Sequence, residues 1–179
     1  MKKPLLATLL MLGFAGTTFA ADRTDFQVFR DVSDQVNNYV YFTIFDSVHA
    51  SVDAGHVTLF GKVTMPYKAL DIEKRVARVD GVKDVRNTIE VLPVSSFDDS
   101  LRLRIARALY AHPALSRYGV SRNPSIHVIV EHGRVTLDGV VENEMDRSIA
   151  SLVARSFMTF KVTNELKTSE EMAQLLETL

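Results

Sequence analysis

An internal repeat constrains the fold of this 179-residue chain more than any other feature of its sequence. Residues 47–63 and 125–141 align without a gap, and nine of the seventeen aligned positions are identical. In both segments apolar and polar residues alternate on either side of a glycine, Gly55 or Gly133. This pattern is typical of a β-hairpin with one buried face. The repeat therefore predicts two copies of one small unit.

Amphipathic helical patterns flank each hairpin, because apolar residues recur there at spacings of three and four. The predicted core positions are Phe29, Val32, Val36, Val40, Ala69, Ile72, Val76 and Val79 in the first copy, and Leu101, Ile105, Ala108, Leu109, Ile149, Leu152, Val153 and Ser156 in the second. A last strand is predicted over 85–91 and again over 162–166. Ser96 with Asp99, and Thr168 with Glu171, have the spacing of helix capping boxes.

The predicted fold class is α+β, with two tandem α-β-β-α-β modules and a short C-terminal helix. Each module is a three-stranded mixed sheet with two helices on one face, since the second helix is long enough for a parallel crossover. The predicted bounds are 25–93 and 97–167 for the modules and 168–179 for the helix. Modules of about 70 residues are marginally stable alone, so the two copies are expected to pack together.

The first twenty residues are predicted to be a secretory signal peptide. Lys2 and Lys3 precede an apolar run over 5–14, and small residues lead to a cleavage point after Ala20. The run has about half of the ~20 residues that a membrane-spanning helix needs, which favours cleavage over a retained anchor. The chain has no cysteine to carry a lipid or a disulfide. The mature protein is expected in the periplasm, with secretion beyond the outer membrane as an open alternative.

Net charge and composition limit the classes of partner. Loss of residues 1–20 removes two lysines and no acid, so the formal net charge changes from -1 to -3. Nucleic acid is therefore not an expected partner. An apolar content of 46% is typical of a folded core.

Two segments of the first copy resemble the BON family of bacterial envelope modules. They are the hairpin at 52–63 (VDAGHVTLFGKV) and the run at 79–87 (VDGVKDVRN), which contains the step Gly81-Val82. The second hairpin fits as well, but SFMTF at 156–160 replaces the Gly-Val step there. The resemblance implies the fold, an envelope location and binding of phospholipid or protein, and it implies no common catalytic residues.

Polar residues that recur in both copies offer little support for catalysis. They are the pairs His49 and His127, His56 and His132, Asp53 and Glu131, and Asn87 and Asn164. Repetition of one ancestral sequence explains the histidines without a converging set of metal ligands. The acids at the turn entries are predicted to bond backbone donors, and the asparagines to satisfy backbone groups. The chain is therefore predicted to be no enzyme and to need no cofactor and no metal.

The first helix of the second copy carries the candidate binding surface. In the first copy the outer face of this helix is polar, with Asp31, Asp34, Gln35 and Asn38. The candidate lipid- or partner-binding residues of the second copy are Arg102, Leu103, Arg104, Arg107, Tyr110, Arg117 and Arg122. Five arginines and two aspartates between 98 and 122 give a local charge of +3. An apolar patch rimmed by arginines indicates a partner.

Anionic phospholipid is the leading candidate for this partner, because arginine pairs bidentately with phosphate while Tyr and Leu enter the interfacial region. The predicted function is a non-catalytic periplasmic binding protein that contacts an anionic phospholipid surface and supports cell-envelope integrity. A stress-related periplasmic chaperone, or an adaptor that binds envelope proteins, is the alternative. An enzyme with an unrecognised site is a third class.

Two further contacts remain open in the sequence. Leu103 is also explained by packing under the loop at 111–125, under the C-terminal helix or against the first module. The helix-free faces of the sheets carry Phe60, Ile129 and Val140. These residues would serve a contact between the modules or a homo-oligomer.

Overall fold

The computed structural model describes residues 23–121 and 123–177, so the predicted signal peptide and Arg122 lie outside the described residues. The first module consists of α1 (Asp25–Asn37), β1 (Ser47–Asp53), β2 (His56–Val63), α2 (Pro66–Val76) and β3 (Asp84–Val91). The second consists of α3 (Ser96–Ala111), β4 (Ile126–Glu131), β5 (Arg134–Val141), α4 (Glu144–Arg155), β6 (Lys161–Asn164) and β7 (Lys167–Thr168), followed by α5 (Ser169–Glu177). The predicted α+β fold of two tandem modules and a short C-terminal helix is confirmed.

Both sheets have the same mixed topology, with strand order β1-β2-β3 in the first and β4-β5-β6 in the second. The hairpin strands are antiparallel, and the last strand runs parallel to the second one. A parallel neighbour requires a long crossover, which α2 and α4 provide. In the second module the last strand is interrupted after β6, and β7 continues the pairing with β5. The second sheet therefore has one short strand more than predicted.

The helices of each module cover one face of its sheet and enclose a separate core. The first core includes Val28, Val32, Val36, Val57, Leu59, Val63, Ile72 and Val76, and the second includes Leu101, Ile105, Leu109, Leu115, Ile126, Val128, Val130, Leu137, Ala150 and Ala154. Five predicted core positions are wrong, because Phe29 and Ala108 are only half-buried and belong to neither core. Val40 and Ser156 lie beyond the ends of their helices, and Leu152 is exposed because α4 turns its small alanines toward the sheet.

A carboxylate at the start of each module's first helix fixes the hairpin turn. Asp25 accepts hydrogen bonds from the backbone N–H groups of residues 54 and 55 at 2.7 and 2.9 Å. Asp98 accepts the same pair of bonds from residues 132 and 133, both at 2.8 Å. Both residues of each turn have positive φ. Because an acid near a helix N-terminus is also favoured by the helix dipole, one side chain stabilises two elements.

The turn acids that the sequence indicated do not make these bonds. Glu131 contacts Lys62 of the first module instead, and Asp53 is exposed. The prediction for the two asparagines is confirmed. The amide of Asn87 donates to a carbonyl of α2 at 3.1 Å, and that of Asn164 donates to a carbonyl of α4 at 2.9 Å.

Of the two predicted helix caps, one is confirmed and one is wrong. Thr168 and Glu171 form the predicted capping box, with backbone-to-side-chain distances of 2.8 and 3.1 Å. The cap of α3 is Ser95, whose hydroxyl accepts from the N–H of Asp98 at 3.2 Å, so the prediction of Ser96 is wrong by one residue. The shift leaves Asp98 inside the first turn, where its carboxylate reaches the hairpin.

Loss of either turn carboxylate is expected to destabilise its module. Asp98→Ala should lower the free energy of unfolding by about 2–3 kcal/mol, since two hydrogen bonds to a buried charged acceptor disappear. Asp25→Ala should cost about 1–2 kcal/mol, because its bonds are more exposed. Urea denaturation followed by circular dichroism measures both, with Asp34→Ala on the exposed side of α1 as the matched control. Equal stability of Asp98→Ala and Asp34→Ala would contradict this role.

Candidate functional site

The side of α3 that points away from the core combines basic and apolar side chains. Arg104 and Arg107 are exposed, and Leu103 beside them keeps 44% of its surface open. Phe97, the second residue of the same helix, is 53% exposed. Neither Arg104 nor Arg107 makes an ion pair with an acid in the part of the chain that the structure describes, although Arg104 lies 5.8 Å from the ring centroid of Phe157. We call Phe97, Leu103, Arg104 and Arg107 the outer face of α3.

Two of the sequence-predicted site residues belong to the interior of the module. Arg102 is 5% exposed, donates to the carbonyl of Val130 at 3.1 Å and pairs with Asp99 at 3.3 Å. The hydroxyl of Tyr110 donates to the carbonyl of Ile126, and burial raises the pKa of this phenol. Both side chains therefore hold α3 against β4, and neither is available to a ligand.

Arg117 has a structural partner as well. It pairs with the buried carboxylate of Asp146 on α4 and with Glu142 at 3.1 Å, and it lies over the ring of Tyr118 at 4.8 Å. The hydroxyl of Tyr118 donates to the same Asp146 at 2.5 Å. The loop between α3 and β4 is thus tied to α4, and Leu115 of that loop enters the core. Among the predicted site residues that the structure describes, only Leu103, Arg104 and Arg107 are exposed without an ion pair.

The outer face of α3 differs in charge from its counterpart in the first module. There Asp31 pairs with Arg23, Asp34 is exposed and Asn38 caps the helix end. An anionic surface is repelled by a negative face and is not attracted by a neutral one. Two unpaired arginines attract it. Arg104 and Arg107 occupy the positions of Asp31 and Asp34 in the first module, and the charge is therefore opposite at these two places.

Sequence reasoning missed three exposed apolar residues near the same end of the second module. Phe97 is one of them, and Met158 and Phe160 in the connection before β6 are 87% and 84% exposed. The rings of Phe97 and Phe160 both border Gly133 in the hairpin turn. The signal was present in the segment SFMTF at 156–160, where apolar residues replace the Gly-Val corner of the first module.

The helix-free faces of the two sheets meet at a junction made by Ser47, His49, Lys62, Glu131 and Asp138. The carboxylate of Asp138, 9% exposed, accepts a hydrogen bond from Ser47 and lies 2.9 Å from Nε2 of His49. Lys62 donates to Glu131 at 2.6 Å. The N–H of Val128 also donates to the carbonyl of Ile44 at 2.7 Å. Charged pairs therefore join the two sheets.

The contacts at the junction shift the pKa values of its titratable groups. Burial alone raises the pKa of Asp138, but the bonds from His49 and Ser47 outweigh it and lower that pKa to about 2. The hydrogen bond to Asp138 raises the pKa of His49 against the opposing effect of burial. Burial lowers the pKa of His127, whose Nδ1 has no hydrogen-bond partner among the described residues.

Ser47, His49 and Asp138 do not form a nucleophilic relay. The hydroxyl of Ser47 lies 3.1 Å from Nε2 of His49, and the same nitrogen faces Asp138. In a Ser-His-Asp relay the acid binds the ring nitrogen that points away from the serine. Here Ser47 and His49 both contact the carboxylate of Asp138, so the three side chains form a contact between the modules.

Across residues 23–121 and 123–177, no three His, Asp or Glu side chains are close enough together to hold a metal ion. Within the same ranges, no helix has the length and apolar character that crossing a bilayer requires.

The family follows from the sequence of both modules. The BON domain family matches residues 24–93 and again residues 98–170, which together cover most of the chain. The chain belongs to the BON domain family. BON domains are generally non-catalytic binding modules of periplasmic proteins, and membrane phospholipids are among their partners.

Wider comparisons add little to the family match. No curated protein matches the chain. Among solved structures, CdsD, a structural protein of the type III secretion system of Chlamydia trachomatis, is 13% identical, with 84% of this chain and 97% of that chain covered and a TM-score of 0.30. Its C-terminal domain gives 12% identity, coverage of 76% and 96%, and a TM-score of 0.26. Superpositions this loose carry no argument about the BON modules here.

The pH dependence of stability should report the contact between His49 and Asp138. Because the pKa of His49 is raised in the folded protein, its contribution is complete below its unfolded value of about 6.5 and disappears as the pH rises through the folded pKa. His49→Gln should therefore cost more stability at about pH 6 than at about pH 8.5, by less than about 1 kcal/mol because the pair is half-exposed and screened. Urea unfolding at both pH values measures the difference.

The control for this experiment is His56→Gln, because His56 is exposed and pairs with Asp84 of its own module. Subtracting the unfolding free energy of each variant from that of the wild type removes the opposing effect of the buried His127. A His49→Gln penalty that is the same at both pH values would contradict the junction contact.

Proposed function

We propose that this protein is a non-catalytic periplasmic binding protein that contacts anionic phospholipid through the outer face of α3 and supports cell-envelope integrity. The observation that carries the proposal is the pair of exposed, unpaired arginines beside Leu103 and Phe97. The BON family match supports a membrane phospholipid as the partner. We also propose the domain bounds 25–93 and 97–167, with the helix at 168–179 as a separate element.

The side chains of this face suit the boundary between headgroups and acyl chains. Arg104 and Arg107 can each donate two parallel hydrogen bonds to a phosphate, and arginine sheds its water more readily than lysine. Leu103 and Phe97 supply apolar surface that can enter the interfacial region. A basic residue close to an anionic leaflet contributes about 1 kcal/mol, so two of them give weak, reversible and salt-sensitive binding.

The junction between the two sheets supports contact with a membrane through α3. Because the helix-free faces of the two sheets contact each other, the helices lie on the outside of both modules. Ile129 is 5% exposed although it lies on the helix-free face of β4. Phe60 remains 43% exposed, and self-association through the open part of these faces stays a prediction.

Sedimentation with phospholipid vesicles tests the proposal. The protein should co-sediment with vesicles that contain phosphatidylglycerol and stay in solution with pure phosphatidylcholine. Arg107→Glu should weaken binding at least about tenfold, because an attraction of about 1 kcal/mol is replaced by a repulsion. Leu103→Asp should have a similar effect, because it replaces apolar surface beside Arg107 with a carboxylate.

Matched controls lie in the first module. Arg30 is an exposed arginine on α1, and Leu70 is an exposed leucine on α2 with 56% of its surface open. Arg30→Glu and Leu70→Asp should leave vesicle binding unchanged. Equal losses in the control and test variants would show a general charge effect, and absence of binding to either vesicle would reject the lipid proposal.

A second candidate function rests on an apolar cluster of the first module. The rings of Tyr41 and Tyr67 pack edge to face at 6.0 Å, and Val40, Met65 and Leu70 around them are half-exposed or more. A surface with apolar and aromatic side chains fits a protein client, as in the stress-related chaperone or adaptor. Suppressed aggregation of an unfolding client in the absence of vesicles, reduced by Tyr67→Asp, would favour this function.

A further inference from the structure

A cleft of about 560 Å³ opens beside the junction, on the helix-free face of the second sheet. Its floor consists of two adjacent strands in parallel register. Arg134 on β5 lies opposite Lys161 on β6, and Thr136 lies opposite Thr163. The exposed ring of Phe160 lines the same cleft. This arrangement combines the cations Arg134 and Lys161, two hydroxyl groups and an aromatic ring in one concave surface, which the paired side chains of Lys62 and Glu131 also line.

Neither Arg134 nor Lys161 pairs with the acid of the cleft, Glu131. Like charges directly opposite each other on neighbouring strands destabilise a sheet. On β4, the residue opposite Arg134 is Glu131, whose carboxylate could neutralise the charge of the guanidinium group. Glu131 is instead bonded to Lys62 of the first module at 2.6 Å. Among the described residues Arg134 and Lys161 form no ion pair, so packing of the modules together leaves both charges uncompensated.

We propose that this cleft binds a phosphate ester that carries an apolar or aromatic group. The phosphate lies between Arg134 and Lys161, whose geometry suits a charged acceptor with several oxygens. The hydroxyls of Thr136 and Thr163 donate to the remaining oxygens. Two cations and two hydroxyls offer more donors than the two oxygens of a carboxylate use, which favours phosphate.

The apolar part of the ligand lies against Phe160 and Ile129. Phe160 is 84% exposed, and covering its ring would remove apolar surface from water. The volume of the cleft is within the range of small-molecule sites and leaves room for a body beyond the phosphate. This site is distinct from the outer face of α3, and its ligand binds without a membrane surface.

Titration with phenyl phosphate, followed by NMR of the backbone amides, tests the site. The amides of residues 134–136 and 161–163 should shift and saturate. Combined Arg134→Gln and Lys161→Gln should weaken binding at least about tenfold, since both charged donors are lost. Glu131→Gln should strengthen binding, because it removes the acid from the cleft. Arg30→Gln, an exposed arginine of the first module, should have no effect.

Two further ligands define the chemistry. Inorganic phosphate should bind more weakly than phenyl phosphate, and Phe160→Ala should reduce that difference. Short-chain phosphatidylglycerol, kept below its micelle concentration, separates the two sources of a phosphate ester. Shifts at the same amides would identify a lipid headgroup, whereas shifts with phenyl phosphate alone would identify a soluble ester, and both results support the site.

Several results would overturn the proposal. They are the absence of saturable shifts with both esters, unchanged affinity in the double variant, and weaker binding by Glu131→Gln. If the double variant loses its native amide spectrum, Thr136→Val replaces it, because it keeps the shape of the side chain and removes one donor. Unchanged affinity in Thr136→Val would then count against the site. The vesicle variants at Leu103 and Arg107 leave this cleft intact, so the two proposals fail independently.

Discussion

The buried carboxylate of Asp138 is the interaction on which the arrangement of this protein depends. It accepts hydrogen bonds from Ser47 and His49 of the other module, at a point where two helix-free sheet faces meet. A buried acid without such partners would be strongly unfavourable, so the contact stabilises one relative position of the sheets. The helices then lie outside, and α3 presents Leu103 and Arg107 to solvent. The same contact draws Glu131 to Lys62, which leaves the neighbouring cations of the second sheet uncompensated.

The two modules share a construction and differ in where they place charge. Asp25 and Asp98 fix equivalent hairpin turns with equivalent bonds. The third residue of the second helix is Lys68 in the first module, where it pairs with the buried Asp46 at 2.6 Å. In the second module that position is Asp146, and Arg117 supplies the positive partner from the loop. Both modules therefore have an ion pair at this position, with the charges reversed, and Arg117 serves the fold.

The fold could be predicted from the sequence because its signals are local. Alternation around Gly55 and Gly133 indicates the hairpins, and a spacing of three and four indicates the helices. Placement of side chains was harder, because the outer face of α3 was assigned by helical geometry alone. Arg102 and Tyr110 are on the margin of that face, where bonds to β4 draw them inside. Leu152 is exposed because Ala150 and Ala154 allow α4 to approach the sheet closely with its other side.

Contacts between modules left no pattern to find in a single sequence. Lys62 and Glu131 are ordinary surface residues by type, and only their meeting across the junction removes the partner of Arg134. The turn acids Asp25 and Asp98 lie far along the chain from the N–H groups that they bind. Phe160 was visible as an apolar residue, but its exposure depends on the corner that replaces Gly81. The sequence therefore predicted the modules better than it predicted the surfaces that their packing creates.

The orientation of the protein on a membrane is the central claim, and a single-site probe tests it most directly. The chain has no cysteine, so Leu103→Cys provides one unique position for an environment-sensitive fluorophore. Gln35→Cys provides a position on α1, the corresponding helix of the first module. With phosphatidylglycerol vesicles, the emission of the probe at 103 should shift to the blue while that at 35 stays unchanged. A shift at 35 with none at 103 would contradict the account.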